Sequence, residues 1–201
     1  NLPVLVTAIT PWARSISFHM QSDFTRPGQN SSRRLQLGTT PQTFDGNIDV
    51  SSEKPRLSVV GQVTEAIAAM LGVGRPVLEH RPLEAIVAST EVYSPQLERT
   101  IQPGFVCGMR EQVIGTCAGG LSINGQFTAK LFERDDEEFF SVSVDGPRTY
   151  ELRLKPSFGR FGTAATLINR IPDIVRAPAG FLTVADLPQL RLRQPEHFFL
   201  D

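Results

Sequence analysis

The chain has 201 residues, 40% of them hydrophobic, which is enough to bury a sizeable core and close to the usual size of one domain. Its 20 Lys and Arg against 21 Asp and Glu leave a formal net charge of -1, with no basic block of the kind that neutralises phosphate backbones or anionic lipid surfaces. No nucleic acid and no membrane partner is therefore expected, and a cytoplasmic location is. The longest early apolar stretch, Leu2 to Ile9, falls far short of the roughly 20 residues that span a bilayer, and no basic segment precedes it as in a signal peptide.

In chain order, Leu2, Val4, Leu5, Ala8 and Ile9 make an amphipathic helical face with Pro3 in the first turn, so a short helix is predicted to about Trp12. Ser15 to Asp23 alternates Ile16, Phe18 and Met20 with Ser17, His19 and Gln21, the period of a half-buried strand. From Phe24 to Pro55 the chain is rich in Pro, Gly, Ser, Asn and Arg, which predicts a long irregular excursion over residues 24–57, an arm, a lid or a disordered stretch. Val60 to Leu71 reads as an amphipathic helix stopped by Gly72.

Strands are predicted over Pro82–Glu91 and Phe105–Ala118, the latter with Gly108 and Gly115 as expected bulges. Gly119-Gly120 and Ile123-Asn124-Gly125 read as turns. Phe127–Glu133, Glu138–Val144 and Arg148–Lys155 then form a meander, with Asp135, Asp136, Glu137 and Glu138 as a solvated hairpin tip. A last helix, Thr163 to Arg176, carries Pro172, which should kink or restart it. Together these elements predict a single α+β domain over residues 1–201. Its sheet is mixed and largely antiparallel, its helices pack on one face, and the other face is free for oligomerisation.

Motifs that carry chemistry are sparse. Gly72-Val73-Gly74 follows a helix and precedes Pro76, so it reads as a C-cap and turn rather than a dinucleotide fingerprint; no P-loop, G-x-S-x-G or H-E-x-x-H occurs. His19, His80 and His197 lack metal-ligand spacing, so no metal site is expected. Cys107 and Cys117 read as free buried thiols that could face each other across a hairpin. The polar face of the first strand is the candidate site: His19, Gln21 and Asp23 point one way, with Arg26 just beyond.

Several segments together carry a resemblance: LPVLVTAIT, the strand ending in Asp23, TPQTF, SVVGQVTEAIAAMLG, IQPGFVCGMR and above all GTAATLINRIPDIVRAPAGFLTVADLP at 162–188. They resemble the C-terminal half of the dihydrodipicolinate-reductase-like dehydrogenases, nearest to the 2,4-diaminopentanoate and amine dehydrogenases. The resemblance implies an oxidoreductase acting on an amine or imine carbon. NAD(P)H would be held by an N-terminal Rossmann domain that is absent from this sequence and expected upstream of Asn1, so this chain alone would bind no cofactor. It implies a substrate-binding and dimerisation role for this half, a small polar or amine-bearing substrate, and a homodimer or homotetramer. Asp23 matches the acidic residue closing the first strand, to be joined by His19 or Arg26, and Thr163, Asn169 and Pro172 match the helix beside the substrate cleft. The paired histidines and Lys-x-x-x-Ser-Gly-Thr of true dihydrodipicolinate reductases are replaced here by FHMQSDFTRPG, which argues against the lysine-pathway reaction. The alternative is a stand-alone domain, either a small-molecule-binding or scaffold protein or a cofactor-free cyclase or isomerase.

Overall fold

The structure, a computed structural model, describes residues 2–25, 33–46, 58–155 and 159–193. Its chain divides into two compact units, Leu2–Ser157 and Phe158–Asp201. The first unit holds the helices α1 (Leu2–Thr7) and α2 (Val59–Leu71) and the strands β1 (Ser15–Asp23), β2 (Val77–His80), β3 (Glu84–Val87), β4 (Val92–Ser94), β5 (Arg99–Ile101), β6 (Val106–Thr116), β7 (Ser122–Lys130), β8 (Phe139–Asp145) and β9 (Thr149–Leu154). The main sheet runs β2-β6-β7-β1-β8-β9, with β3 also pairing β6, and β4 and β5 form a separate hairpin. Among the described residues only the β1–β7 pairing is parallel, so the sheet is mixed and mostly antiparallel and the fold is α+β, as the alternation predicts.

The pleat of β1 decides which side is core. Ile16 and Phe18 are buried on the helix side, packed with Val113, Ile123, Val142, Val144 and the α2 residues Val60 and Ile67, while Ser17 and His19 stand on the opposite face. Helix α2 forms where its apolar period predicts. Ser58 caps it by accepting the Gly61 N–H at 2.8 Å, and Gly72 ends it in the left-handed region at φ 68. Gly72 and Gly74 therefore lie at the carbonyl end of a helix, the end that repels phosphate, and do not fit a dinucleotide cradle.

Several expectations change. Ile123-Asn124-Gly125 lies inside β7, while the other predicted turn, Gly119-Gly120, forms within Ala118–Gly120. Gly125 is a glycine because α2 sits on it: a Cβ there would collide with Val60 and with Phe18. Gly115 is alike, where a Cβ would stand 2.5 Å from Thr64 Cγ2. Gly108 and Gly115, the expected bulges, form none against β7, since that register runs unbroken from Gly108↔Lys130 to Thr116↔Ser122. The irregularity near Gly108 falls on its other side, between Ile86 and Val87 of β3. The predicted strand Pro82–Glu91 shrinks to β3, with β2 added before it. Cys107 and Cys117 lie at opposite ends of one strand, roughly 30 Å apart at strand rise, rather than across a hairpin; both are free and buried.

Part of the excursion is anchored. Leu35 and Leu37 are buried in a second apolar cluster with Leu83, Ile101, Cys107 and Leu131, so the segment 33–46 packs on the sheet unit. The rest, 26–32 and 47–57, lies outside the described residues.

The second unit contains α3 (Gly159–Arg176), four residues longer at its start than its apolar period predicts. Pro172 is fully buried within it, and the helix continues through as one element. A buried ionic knot ties the following segment to this helix. Asp173 accepts from Arg170 at 3.3 Å and from Arg193, Arg170 also donates to the Pro188 carbonyl, and the Arg193 N–H donates to Asn169 Oδ1 at 3.0 Å. Leu167, Ile168, Ile171 and Ile174 on this helix are exposed in this chain.

Candidate functional site

Cross-strand register assembles the candidate site on the open face of the sheet. Gln112 of β6, Gln126 of β7 and His19 of β1 are direct neighbours across three strands. Their side chains join in one line: Gln112 Nε2 donates to Gln126 Oε1 at 2.8 Å, and Gln126 Nε2 donates to His19 Nε2 at 2.8 Å, with Thr128 Oγ1 3.1 Å from the same ring nitrogen. In this arrangement Nε2 accepts, which places the imidazole proton on Nδ1. The ring meets Phe139 edge-on at 4.8 Å between centroids, and the Arg153 guanidinium lies 4.1 Å from the centre of that Phe139 ring. Burial first, then the positive fields of Arg110 and Arg153, hold the His19 pKa down to about 4, so the imidazole is neutral at pH 7. Around this line lies a groove of about 500 Å³, floored by Ser17, Asn124, Ser141 and Ser143 and walled by Arg81, Glu151 and Arg153. Such a surface presents hydrogen-bond donors and acceptors and a neutral imidazole.

Asp23 closes β1 four residues beyond His19, roughly 13 Å along the strand. Its carboxylate is exposed, and Oδ1 accepts from the Thr25 N–H at 2.8 Å and from the Thr25 hydroxyl, which leaves Oδ2 for another donor. Gln21, between the two, donates to the Glu137 carbonyl at 3.0 Å. His19 and Asp23 thus share a strand face but not one pocket. Arg26 lies outside the described residues. Thr163 and Asn169 belong to α3 in the other unit, where Thr163 is exposed and the Asn169 side-chain oxygen is taken by the Arg193 backbone.

Beside Asp23 in the sheet, Lys130 ends β7 and anchors a second polar cluster that the sequence did not reveal. Its ammonium bonds Asp136 at 2.7 Å and Glu133 at 3.2 Å, all three side chains less than a fifth exposed. Glu133 Oε1 also accepts from the backbone and hydroxyl of both Ser89 and Thr90, at 2.7 to 2.9 Å. Burial alone would raise the Glu133 pKa; the hydrogen bonds from Ser89 and Thr90 and from Lys130 outweigh it and hold the carboxylate at about 2. Burial likewise pushes the neighbouring Cys107 thiol up to about 11, which leaves it an inert core residue. Asp136 is therefore turned inward and is not part of a solvated tip. The clue in the sequence was a lysine five residues ahead of the acidic run that opens at Asp135.

Among the described residues, no group of His, Cys, Asp and Glu is placed to hold a metal ion, and no helix is long and apolar enough to cross a membrane.

An α+β unit of this topology matches part of a solved dehydrogenase. The structure of amine dehydrogenase from Mycobacterium smegmatis superposes with a TM-score of 0.85 over 96% of this chain at 21% identity. This chain spans 56% of that protein's length. No curated protein matches. The model of the 2,4-diaminopentanoate dehydrogenase C-terminal domain matches residues 2–194, and the chain belongs to that family.

Proposed function

We propose that this chain is the substrate-binding and dimerisation domain of an NAD(P)H-dependent, cytoplasmic oxidoreductase acting on an amine or imine carbon. The family match across residues 2–194 carries the reading, because that family is defined as the C-terminal domain of a dehydrogenase. The dinucleotide would be held outside this chain; Gly72 and Gly74 sit at the carbonyl end of α2, the wrong helix end for phosphate. When bound, the cofactor supplies the hydride; this chain's residues orient the substrate and exclude water.

Asp23 is the residue best suited to meet a substrate ammonium. It is exposed at a strand end, keeps one carboxylate oxygen uncommitted to its own turn, and carries the charge an amine requires. Arg26 is proposed as a further substrate-binding donor, and Thr163, exposed on α3, as a substrate-binding hydroxyl of its own unit. His19 and Asn169 act at one remove, as they are already engaged by Gln126 and by Arg193. Calorimetry with NADH and NADPH on the longest natural chain that contains this sequence tests the reading. Binding in the micromolar range to either cofactor is expected. Failure to bind either one overturns it and leaves a cofactor-free binding protein whose ligand occupies the open-face groove.

A further inference from the structure

The turn that presents Asp23 is held by a side chain from a distant element. Just past β1, the Phe24 N–H donates to the Lys130 carbonyl at 2.8 Å and the Thr25 N–H donates to Asp23 Oδ1 at 2.8 Å. The carbonyls of these same two residues, Phe24 and Thr25, both accept from one carboxamide, Gln96 Nε2, at 2.5 and 2.8 Å. They match its two N–H donors. Gln96 lies in the turn between β4 and β5, 71 residues further along the chain than Thr25. Its orientation is fixed by Ser94, which is fully buried: the Ser94 hydroxyl donates to Gln96 Oε1 at 2.9 Å, so the amide nitrogen is the end that faces the Asp23 turn.

We propose that Gln96 is a positioning residue for substrate binding, which acts through the turn at Phe24 and Thr25 to fix the direction in which Asp23 Oδ2 meets the substrate ammonium. The proposal rests on the assignment of Asp23 to that ammonium. Asp23 is exposed, so packing does not hold its carboxylate, and among the described residues its hydrogen bonds go to Thr25 alone. Whatever sets Thr25 therefore sets the carboxylate. Among the described residues, the bond from Gln96 is the one hydrogen bond that ties Thr25 to anything beyond Asp23. A carboxylate misplaced by about 1 Å can cost as much as about 100-fold in a site that depends on it, so this remote tie has leverage.

The hairpin is a suitable anchor because it is itself seated in the core. Val92 and Ile101, a cross-strand pair of β4 and β5, are buried in the second apolar cluster with Leu35, Leu37 and Leu83. Leu97 packs against that cluster, and its N–H donates to the Ser94 hydroxyl at 3.4 Å. Phe24 joins it from the other side, with its ring edge-on to Phe127 at 6.1 Å between centroids. Gln96 thus bridges two segments that share one apolar seat, and such support from behind is what holds a binding group in place. Lys130, the neighbour of Asp23 across β1 and β7, does not compete for the carboxylate. Its ammonium is engaged by Asp136 and Glu133, and among the described residues Asp23 makes no ion pair. The charge of Asp23 is left for a ligand, and the bonds from Gln96 settle its place.

The test is a double-substitution cycle on the longest natural chain, read by NADPH oxidation with ammonia and carbonyl compounds that bear a second amine. Gln96→Met keeps the volume and loses both donors. It should raise KM about 5- to 10-fold, with kcat and NADPH affinity changed less than about 2-fold. In the Asp23→Asn background the same substitution should raise KM less than about 2-fold, because the group it positions is already gone. A merely structural role would raise KM alike in both backgrounds. Ser94→Ala covers the case in which Gln96→Met does not fold. It removes only the hydroxyl that orients the carboxamide and should raise KM about 2- to 4-fold, again only where Asp23 is present. An unchanged KM in the folded variant, a loss that persists in full beside Asp23→Asn, or a loss confined to kcat or to NADPH affinity would overturn the inference. If Asp23→Asn raises KM while both Gln96→Met and Ser94→Ala are without effect, this inference falls alone; if Asp23→Asn has no effect, the assignment of Asp23 falls with it.

Discussion

His19 is a titratable residue on the open face whose charged form the surroundings reject, and that has a measurable pH signature. Above pH 6.5 the imidazole is neutral in both the folded and the unfolded chain, so it adds nothing to the pH slope of stability. Between 6.5 and about 4 the unfolded chain takes up a proton that the folded chain refuses, and stability falls with the pH across that window. His19→Gln removes this contribution. Urea unfolding at about pH 7, 5.5 and 4.5 should therefore show a shallower loss of stability in the variant than in the wild type; parallel curves would mean that the ring protonates freely in the fold. Glu133 also loses stability on acidification, but because its surroundings favour the charged form. Its folded pKa is depressed, so its contribution is present above the ordinary 4.5 and is lost as the pH falls through about 2. Glu133→Ala leaves four donors of Ser89 and Thr90 unanswered and takes one carboxylate from Lys130, which should cost about 3 kcal/mol at neutral pH by denaturant unfolding. A loss within experimental error would show that water replaces the carboxylate at no cost.

Among the elements, the seat of α2 on the sheet is the contact most sensitive to a single atom. Gly115 and Gly125 remove two Cβ atoms from the strands under the helix, and Val60 and Thr64 fill the space. Gly115→Ala should destabilise the chain by roughly 2 kcal/mol through overpacking against Thr64 Cγ2. Thr64→Ser in the same chain removes that methyl and should recover most of the loss, as melting temperatures of the single and double variants would report. No recovery would place the strain in the backbone instead. The same contact explains what the sequence left hidden. The helices, β1 and the meander were legible because their periods are clean and their caps are orthodox, as with Ser58 and Gly72. Asn124-Gly125 has the chemistry of a turn, and only the tertiary approach of Val60 and Phe18 reveals why a strand carries it. Pro82 hid the short strands because β2 and β3 share one edge of β6, and neither is long enough to show a period. The site was legible only in part for a similar reason. The alternation of β1 announced His19 and Asp23, but Gln112 and Gln126 join His19 through register, which no local pattern encodes.

At the scale of the whole molecule, this chain spans 56% of the amine dehydrogenase it superposes on, and the proposed function divides the work between substrate holding within this chain and cofactor binding outside it. The division allows substrate holding to be separated from cofactor binding. Asp23 is exposed and among the described residues bonds Thr25 alone, so Asp23→Asn should leave the melting temperature nearly unchanged. If Asp23 meets the substrate ammonium, the same variant should lower kcat/KM for reduction of the imine by roughly 10- to 100-fold, mostly through KM, while NADPH affinity is retained. The assay is NADPH oxidation by the longest natural chain with ammonia and a panel of carbonyl substrates. Carbonyl compounds that bear a second amine should suffer most from the substitution, and those without one should be nearly indifferent to it, because the lost interaction is between the carboxylate and that distal ammonium. An equal loss across the panel would assign Asp23 to the reacting nitrogen instead, and no loss in any substrate would remove it from the site.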